Sequence, residues 1–151
     1  MITFHVSGML PRALTKSMFP RIARACSGVR GLGGRRNLEI GIRFASPREI
    51  QRLNMTYRGK NCPTDVLSFS SEEGNFPEGR GTGKIRELGD LVVCPAVAIR
   101  EAKRRLINPK EELVRLIVHG TLHLAGFDHA TEKEEAIMFG IQEQIIEKSV
   151  V

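Results

Sequence analysis

The sequence predicts a single α+β domain, in which a mixed sheet of about four strands packs against about five helices. Three observations predict this fold class. A chain of 151 residues has the size of one domain. Segments with strand and helix patterns are interspersed along it. Neither a repeat nor a linker divides residues 1–151. The composition, with 41% hydrophobic and 26% charged residues, is typical of a globular protein.

Each element rests on a local pattern. Alternating apolar residues predict half-buried strands, and apolar residues three or four apart predict helices. The first helix is predicted in spite of Pro20. In chain order, the patterns predict a strand over 2–6, a helix over 10–25, a glycine-rich loop over 27–34, a strand over 38–44, a helix over 46–57, a strand over 66–69, a loop over 71–83, a strand over 88–94, and helices over 96–106, 109–125 and 131–147.

Capping residues mark two of the helix starts and one helix end. Ser46 is followed by Pro47 at the first helical position and by an acidic residue three positions after the cap. Asn108 and Pro109 repeat this signal. Gly126 is placed to end the helix that Asn108 begins, because glycine adopts a left-handed backbone without steric strain.

The positive charge is concentrated in the first part of the chain. The net charge is +6, and residues 1–60 hold 12 Lys and Arg but only two acidic residues, so this segment carries +10 and the remainder −4. Clustered cations bind polyanions by releasing condensed counterions. The asymmetry therefore favours a nucleic-acid partner, although scattered arginines that only solvate the surface would give the same count.

The sequence predicts a cytoplasmic protein without a membrane segment. No apolar run reaches the roughly 20 residues of a spanning helix. The first residues lack the basic and apolar regions of a secretory signal. The three cysteines, Cys26, Cys62 and Cys94, are an odd number without close pairing, which fits reduced thiols with structural roles.

Three of the four histidines fall within eleven residues, at His119, His123 and His129. The first two are four apart on a predicted helix, so their imidazoles project from one face. Gly126 reverses the chain and can bring His129 to the same ion. Three histidines favour one Zn²⁺ and leave a coordination position open for water or substrate, which is typical of a catalytic site. The sequence therefore predicts a zinc site at the end of a helix in the C-terminal half.

The residue after the first histidine separates two classes of hydrolase. The spacing of the three histidines and Gly126 matches the metzincin protease pattern, but Gly120 stands where the protease carries its glutamate base. Glycine cannot deprotonate a zinc-bound water. Three neutral ligands also leave the full charge on the ion, which suits an anionic phosphodiester. Phosphoester chemistry is therefore predicted ahead of peptide hydrolysis.

Three segments resemble the YbeY family of bacterial endoribonucleases. Residues 119–129 resemble the family's His-Gly-x-Leu-His-Leu-x-Gly-Tyr-Asp-His signature, with Phe127 in place of the usual Tyr. Residues 57–69 resemble Tyr-Arg-x-x-Asp-x-Pro-Thr-Asp-Val-Leu-Ser-Phe, with Asn61 in place of the common Asp. Residues 88–94 resemble its Leu-Gly-Asp-Ile strand.

The resemblance implies a zinc-dependent endoribonuclease that is specific for single strands and acts in rRNA 3′-end maturation and ribosome quality control. It implies that His119, His123 and His129 bind the metal, that His119 also belongs to the catalytic residues, and that Arg58 is the catalytic arginine. RNA, in rRNA and ribosomal particles, is then the partner. A planar guanidinium suits the Arg58 role because it can bind phosphate oxygens bidentately. The sequence leaves the oligomeric state open.

Two other functions remain open, a metallopeptidase-like hydrolase and a non-catalytic ribosome-assembly factor with a structural zinc. The group that orients a ligand imidazole also stays open among Asp65, Asp90 and Asp128, each of which could equally cap a turn. With 5% aromatic residues and one tyrosine, base stacking can contribute little over a long platform.

Overall fold

The computed structural model describes residues 1–29, 32, 37–71, 85–127 and 130–150. These residues form an α+β arrangement of four strands and five helices, as predicted. In chain order they are β1 (Ile2–Gly8), α1 (Met18–Ser27), β2 (Asn37–Phe44), α2 (Pro47–Arg58), β3 (Val66–Ser70), β4 (Ile85–Val93), α3 (Pro95–Arg104), α4 (Pro109–Leu124) and α5 (Glu132–Val150).

The sheet is mixed and has the strand order β1-β2-β4-β3. β1 and β4 both run parallel to β2, and β3 pairs with β4 in the antiparallel direction. β3 is therefore an edge strand that reaches the sheet through its pairing with β4 alone. The order could not be read from the sequence, because local patterns do not specify which strands become neighbours.

The two faces of the sheet are covered to different extents. The main core packs the apolar face of β2 and β4 against α1, α4 and α5, with Ile22, Ile117 and Ile145 among the buried side chains. The other face carries a smaller cluster under α2, which includes Ile50 and Val92. Because α2 covers only part of this second face, polar side chains of β1, β2 and β4 remain exposed beside it.

The predicted helix over 10–25 is wrong in its first half. Residues 12–13 and 16–17 form turns, and α1 begins only at Met18. Proline has no N–H to donate and its ring clashes with the carbonyl four residues earlier, so a helix tolerates Pro20 in its first turn but not in its interior. Leu14 is nevertheless buried, so the apolar pattern correctly indicated a residue of the core.

β4 begins three residues before the predicted strand over 88–94. Its pairing with β2 shifts register at this point, since Glu39 lies opposite Glu87 and Ile40 opposite Gly89. Leu88 is thus an extra residue in a β-bulge. The missed start of β4 includes Arg86 and Glu87, two charged residues that carry no apolar strand pattern. The loop predicted over 71–83 lies almost wholly outside the described residues.

No helix in the described parts of the chain is both long enough and apolar enough to cross a membrane. The three cysteines are unpaired, with Cys62 exposed and the other two buried. Burial raises the pKa of the Cys26 thiol to about 12, so this side chain is not a thiolate at neutral pH. Its role is packing in the main core.

Candidate metal centre

α4 carries the first two predicted ligands near its C-terminal end. The Asn108 side chain caps its start, since Oδ1 accepts from the backbone N–H of Lys110 at 2.9 Å. Most of the helix is buried in the main core. His119 is half-buried and His123, one turn later, is exposed. The predicted pair of imidazoles therefore lies where a buried helix reaches the surface.

A residue of α5 orients the His119 ring. Nδ1 of His119 lies 3.0 Å from Oε1 of Gln142, a residue that is only 6% exposed. The Gln142 amide nitrogen lies 3.5 Å from Oε1 of Glu143, which turns the amide oxygen toward the histidine. Because an amide oxygen only accepts, Nδ1 must carry the proton, and the lone pair of Nε2 is then suited to a metal.

Glu143 is itself held by an arginine from α4. Nε and Nη2 of Arg115 donate to its two carboxylate oxygens at 3.0 and 3.3 Å, and Nη1 donates to Glu112 at 3.1 Å. These hydrogen bonds from Arg115 are the main cause that lowers the pKa of Glu143. A continuous chain of polar contacts therefore runs from Arg115 through Glu143 and Gln142 to His119.

The end of α4 has the geometry that the predicted third ligand requires. Gly126 has φ of 98°, its N–H donates to the His123 carbonyl at 3.1 Å, and the N–H of Phe127 donates to the Leu122 carbonyl at 3.0 Å. This pair of bonds is a Schellman motif, which turns the chain back over the helix end. His129 and Asp128 lie outside the described residues.

The residues present fit a divalent metal by their chemistry. One imidazole has its Nδ1 proton committed to an acceptor, a second lies on the same helix face, and the chain reverses three residues before a third histidine. The described residues, which omit His129, contain no group of three or more His, Cys, Asp or Glu that could hold a metal. Coordination by three histidines accordingly stays a prediction.

Gly120 faces the sheet. A Cβ built on it would lie 2.6 Å from one methyl of Leu91 and 3.3 Å from its Cγ, and Leu91 is fully buried. The position at which the metzincin pattern has glutamate is thus filled by the packing of α4 on β4. A carboxylate at this position would enter the core, so glycine here has a packing reason as well as the chemical one considered from the sequence.

Arg58 lies at the end of α2 and touches the edge strand. Its Nη2 donates to the backbone carbonyl of Ser68 at 3.0 Å, and Gly59, with φ of 69°, caps the helix directly after it. Arg58 is exposed. α4 packs against the same strand, so β3 is the element that the arginine and the histidine helix have in common.

The loop after Arg58 is fastened to α2. Nδ2 of Asn54 donates to the Cys62 carbonyl at 2.9 Å, and Nε2 of Gln51 donates to Oδ1 of Asn61 at 3.1 Å. The carbonyl of Asp65 accepts from the backbone N–H of Cys94 at 2.8 Å. These contacts hold the loop between α2 and β3, which belongs to the family-like segment 57–69, in place beside β3.

The contacts of His119 bear on the proposed orienting groups. Among the described residues, Nδ1 of His119 has Oε1 of Gln142 as its acceptor, and this residue was not among the three aspartates considered from the sequence. Asp90 lines a groove on the sheet face that α2 partly covers. The sequence did hold a signal for Gln142, because this polar residue stands in the apolar stripe of α5 between Met138 and Ile145.

Comparison with known proteins gives one consistent result. The family model described as Endoribonuclease YbeY matches residues 12–150. Proteins named Endoribonuclease YbeY from Staphylococcus saprophyticus and Macrococcus caseolyticus are 43% and 40% identical to this chain, in each case over 72% of this chain and 70% of the relative. The relative of the same name from Sulfurihydrogenibium is 41% identical over 74% of this chain and 70% of its own length.

A solved structure extends the likeness to the fold. The solution structure of TM1509 from Thermotoga maritima has a TM-score of 0.68 and 26% identity, and the match covers 99% of this chain and 89% of that one. The described elements at both ends of the chain therefore belong to the common fold, including the N-terminal part that carries none of the three motifs.

Proposed function

This chain belongs to the YbeY family of endoribonucleases, and we propose that it cuts single-stranded RNA with one zinc ion held by His119, His123 and His129. The observation that carries the proposal is the contact of His119 with the buried Gln142. A buried acceptor on Nδ1 is the arrangement by which proteins orient metal-binding histidines.

The reaction follows from the parts assigned to each residue. His119, His123 and His129 would hold the zinc ion, which would supply Lewis acidity toward the phosphodiester when bound. Gln142 holds the His119 ring in the orientation and tautomer that binding needs. Arg58 contacts the non-bridging oxygens of the attacked phosphodiester, where negative charge builds up in the pentavalent transition state. The guanidinium has five N–H donors, and the bond to Ser68 uses one of them.

The setting of the activity is part of the proposal. We assign the enzyme to the cytoplasm, to rRNA 3′-end maturation and to ribosome quality control, with rRNA in ribosomal particles as its substrate. The support is family membership, the unpaired cysteines and the net charge of +6. The two other functions considered from the sequence, peptide hydrolysis and a structural zinc, receive no support from a specific contact, and the packing of Gly120 argues against the first.

The decisive experiment replaces one ligand and one histidine that is not a ligand. His123→Ala should lose bound zinc, measured by elemental analysis, and cleavage of single-stranded RNA should fall at least a hundredfold. His5→Ala is the matched control, because His5 is exposed on β1 and lies outside the cluster. It should keep zinc and activity. Chelation of the wild-type protein should reproduce the His123→Ala result.

Three results would count against the proposal. Cleavage of an unfolded peptide without cleavage of RNA would assign the protein to the peptidases. Retained RNA cleavage in a zinc-free His123→Ala protein would remove the metal from the mechanism. Full zinc occupancy in a wild-type protein that cuts neither polymer would leave the assembly factor as the better description.

A further inference from the structure

A groove opens on the sheet face that α2 covers only in part. It has a volume of about 750 Å³, and its apolar walls come from Leu53, Tyr57, Phe69 and Val92. Arg58 also lines it. Sites for small organic groups usually have volumes of about 300–1,000 Å³ and combine apolar walls with a few polar groups. The groove therefore has the size and lining of a binding site, and it shares one residue with the proposed catalytic machinery.

The aromatic pair in the groove leaves a ring available for stacking. The Tyr57 and Phe69 rings meet edge to face, with centroids 5.2 Å apart and an interplanar angle of 73°. Tyr57 is 64% exposed. The contact with Phe69 fixes the Tyr57 ring while much of its surface stays open. A fixed, exposed ring is what a nucleobase needs as a stacking partner.

A carboxylate lies in the same groove. Asp90 is exposed on β4, opposite Gly41 of β2, and any Cβ on Gly41 would collide with its Oδ1. The missing side chain at residue 41 thus makes room for the carboxylate to lie over the sheet. Arg43, the other arginine of the groove, forms an ion pair with Glu49. Arg58 is therefore placed to attract a phosphate, and Asp90 to accept hydrogen bonds from an amino group.

We propose that this groove holds one base of a single-stranded RNA, stacked on Tyr57 beside the phosphate that Arg58 contacts, and that Asp90 favours bases with an amino group over uracil. Adenine, cytosine and guanine carry exocyclic amino donors and uracil carries none, so a carboxylate acceptor distinguishes them. The charges match the occupant, since a cation meets the backbone and an anion meets the base edge. The inference rests on the proposed function, which makes RNA the substrate.

Tyr57 allows a direct test, because it is the only tyrosine and the chain has no tryptophan. The zinc-loaded protein is titrated with hexaadenylate and with hexauridylate while tyrosine emission is recorded, and the oligonucleotides are checked for cleavage afterwards. Hexaadenylate should quench the emission to saturation and should bind at least about fivefold more tightly than hexauridylate.

Variants then assign the binding to the two side chains. By anisotropy of a labelled hexaadenylate, Tyr57→Ala should weaken binding about tenfold or more, and Tyr57→Phe should stay within about twofold of wild type. Asp90→Ala should reduce the preference for adenine over uracil to about one without weakening the binding of hexauridylate. Phe139→Ala is the control, because Phe139, on α5, is exposed to a similar extent, at 60%.

The outcomes separate this inference from the nuclease proposal. If the wild type cuts RNA but its emission does not change at saturation and Tyr57→Ala binds normally, the base site is wrong and the nuclease function stands. If Tyr57→Ala weakens binding as expected but Asp90→Ala still prefers hexaadenylate to hexauridylate, the assignment of Asp90 is overturned and the stacking site stands. If the wild type neither binds nor cuts RNA, both proposals are overturned together.

Discussion

His119 is the end of a chain of polar side chains that crosses from α4 to α5 and back. Arg115 of α4 fixes Glu143, Glu143 fixes the amide of Gln142, and Gln142 accepts from Nδ1 of His119. Each contact limits the freedom of the next side chain. The orientation of a proposed metal ligand therefore depends on a residue 23 positions away in the sequence.

Gln142 should matter for metal affinity rather than for folding alone. Gln142→Leu keeps the volume and removes the acceptor, so we expect zinc affinity to fall about 10- to 100-fold. Gln142→Glu keeps an acceptor and should retain most of the affinity. The measurement is competition for zinc with a chromophoric chelator. Equal zinc affinity in the wild type and Gln142→Leu would show that the amide has no positioning role.

The helix α4 combines two tasks that constrain its sequence. Its buried residues pack on the sheet, and its last turns present the histidines. Both requirements meet at Gly120, which follows the proposed ligand His119 in sequence and packs against Leu91 of the sheet. The absence of a side chain lets the helix approach β4 closely.

Gly120→Ala should destabilise the fold. Alanine is favoured over glycine in a helix by about 1 kcal/mol, but forcing a methyl into a filled core costs about 1–3 kcal/mol. The net effect should be a lower free energy of unfolding, measured by urea denaturation. Gly140→Ala on α5 is the matched control, because a Cβ there meets nothing within 4 Å, and it should stabilise the protein slightly. A more stable Gly120→Ala protein would mean that Leu91 moves aside without cost.

At the scale of the whole molecule, the contact between α4 and α5 makes stability depend on pH. Arg115 lowers the pKa of Glu143 in the folded state, whereas an unfolded glutamate titrates at about 4.3. A lowered pKa contributes stability above the unfolded value, and this contribution is lost as the pH falls through the folded value.

Glu143→Gln should therefore be less stable than the wild type at pH 7, and the difference should shrink toward pH 3. The difference in the free energy of unfolding is measured by urea denaturation at both pH values, with a chelator present to exclude metal binding. Gln144→Ala, at an exposed neighbouring position, should not change the pH dependence. A difference that is the same at both pH values would exclude the ion pair as its cause.

The charge distribution of the molecule gives a prediction about RNA binding. Four arginines of the basic segment 1–60 are candidates for RNA contacts, namely Arg21, Arg24, Arg35 and Arg36. Arg21 and Arg24 are exposed on α1, whereas Arg35 and Arg36 lie outside the described residues. Reversing Arg21 and Arg24 to Glu should weaken RNA binding, and more at low salt than at high salt, because fewer counterions are released.

The control for this experiment reverses two exposed cations of α3, Lys103 and Arg104, which changes the net charge equally. If it weakens binding as much, net charge and not the position of the arginines is responsible. If neither double variant alters binding at low salt, the basic residues of α1 only solvate the surface.

Local chemistry explains why much of this protein could be predicted from its sequence. Helix caps at Ser46 and Asn108, and the helix end at Gly126, depend on neighbouring residues alone, and all three were predicted correctly. The motifs that indicated the family are also continuous stretches of chain. The first helix was misplaced because its apolar pattern was followed through Pro20, although proline forbids a helix interior.

By itself, then, the sequence determined the fold class, most of the helices and strands, the family and the set of candidate ligands. Only the tertiary structure decided the strand order, the packing of Gly120 on Leu91, the partner of His119 and the groove between Tyr57 and Asp90. The physical reason is that these features join residues distant in the chain, and a contact across the fold leaves no periodic trace in either segment.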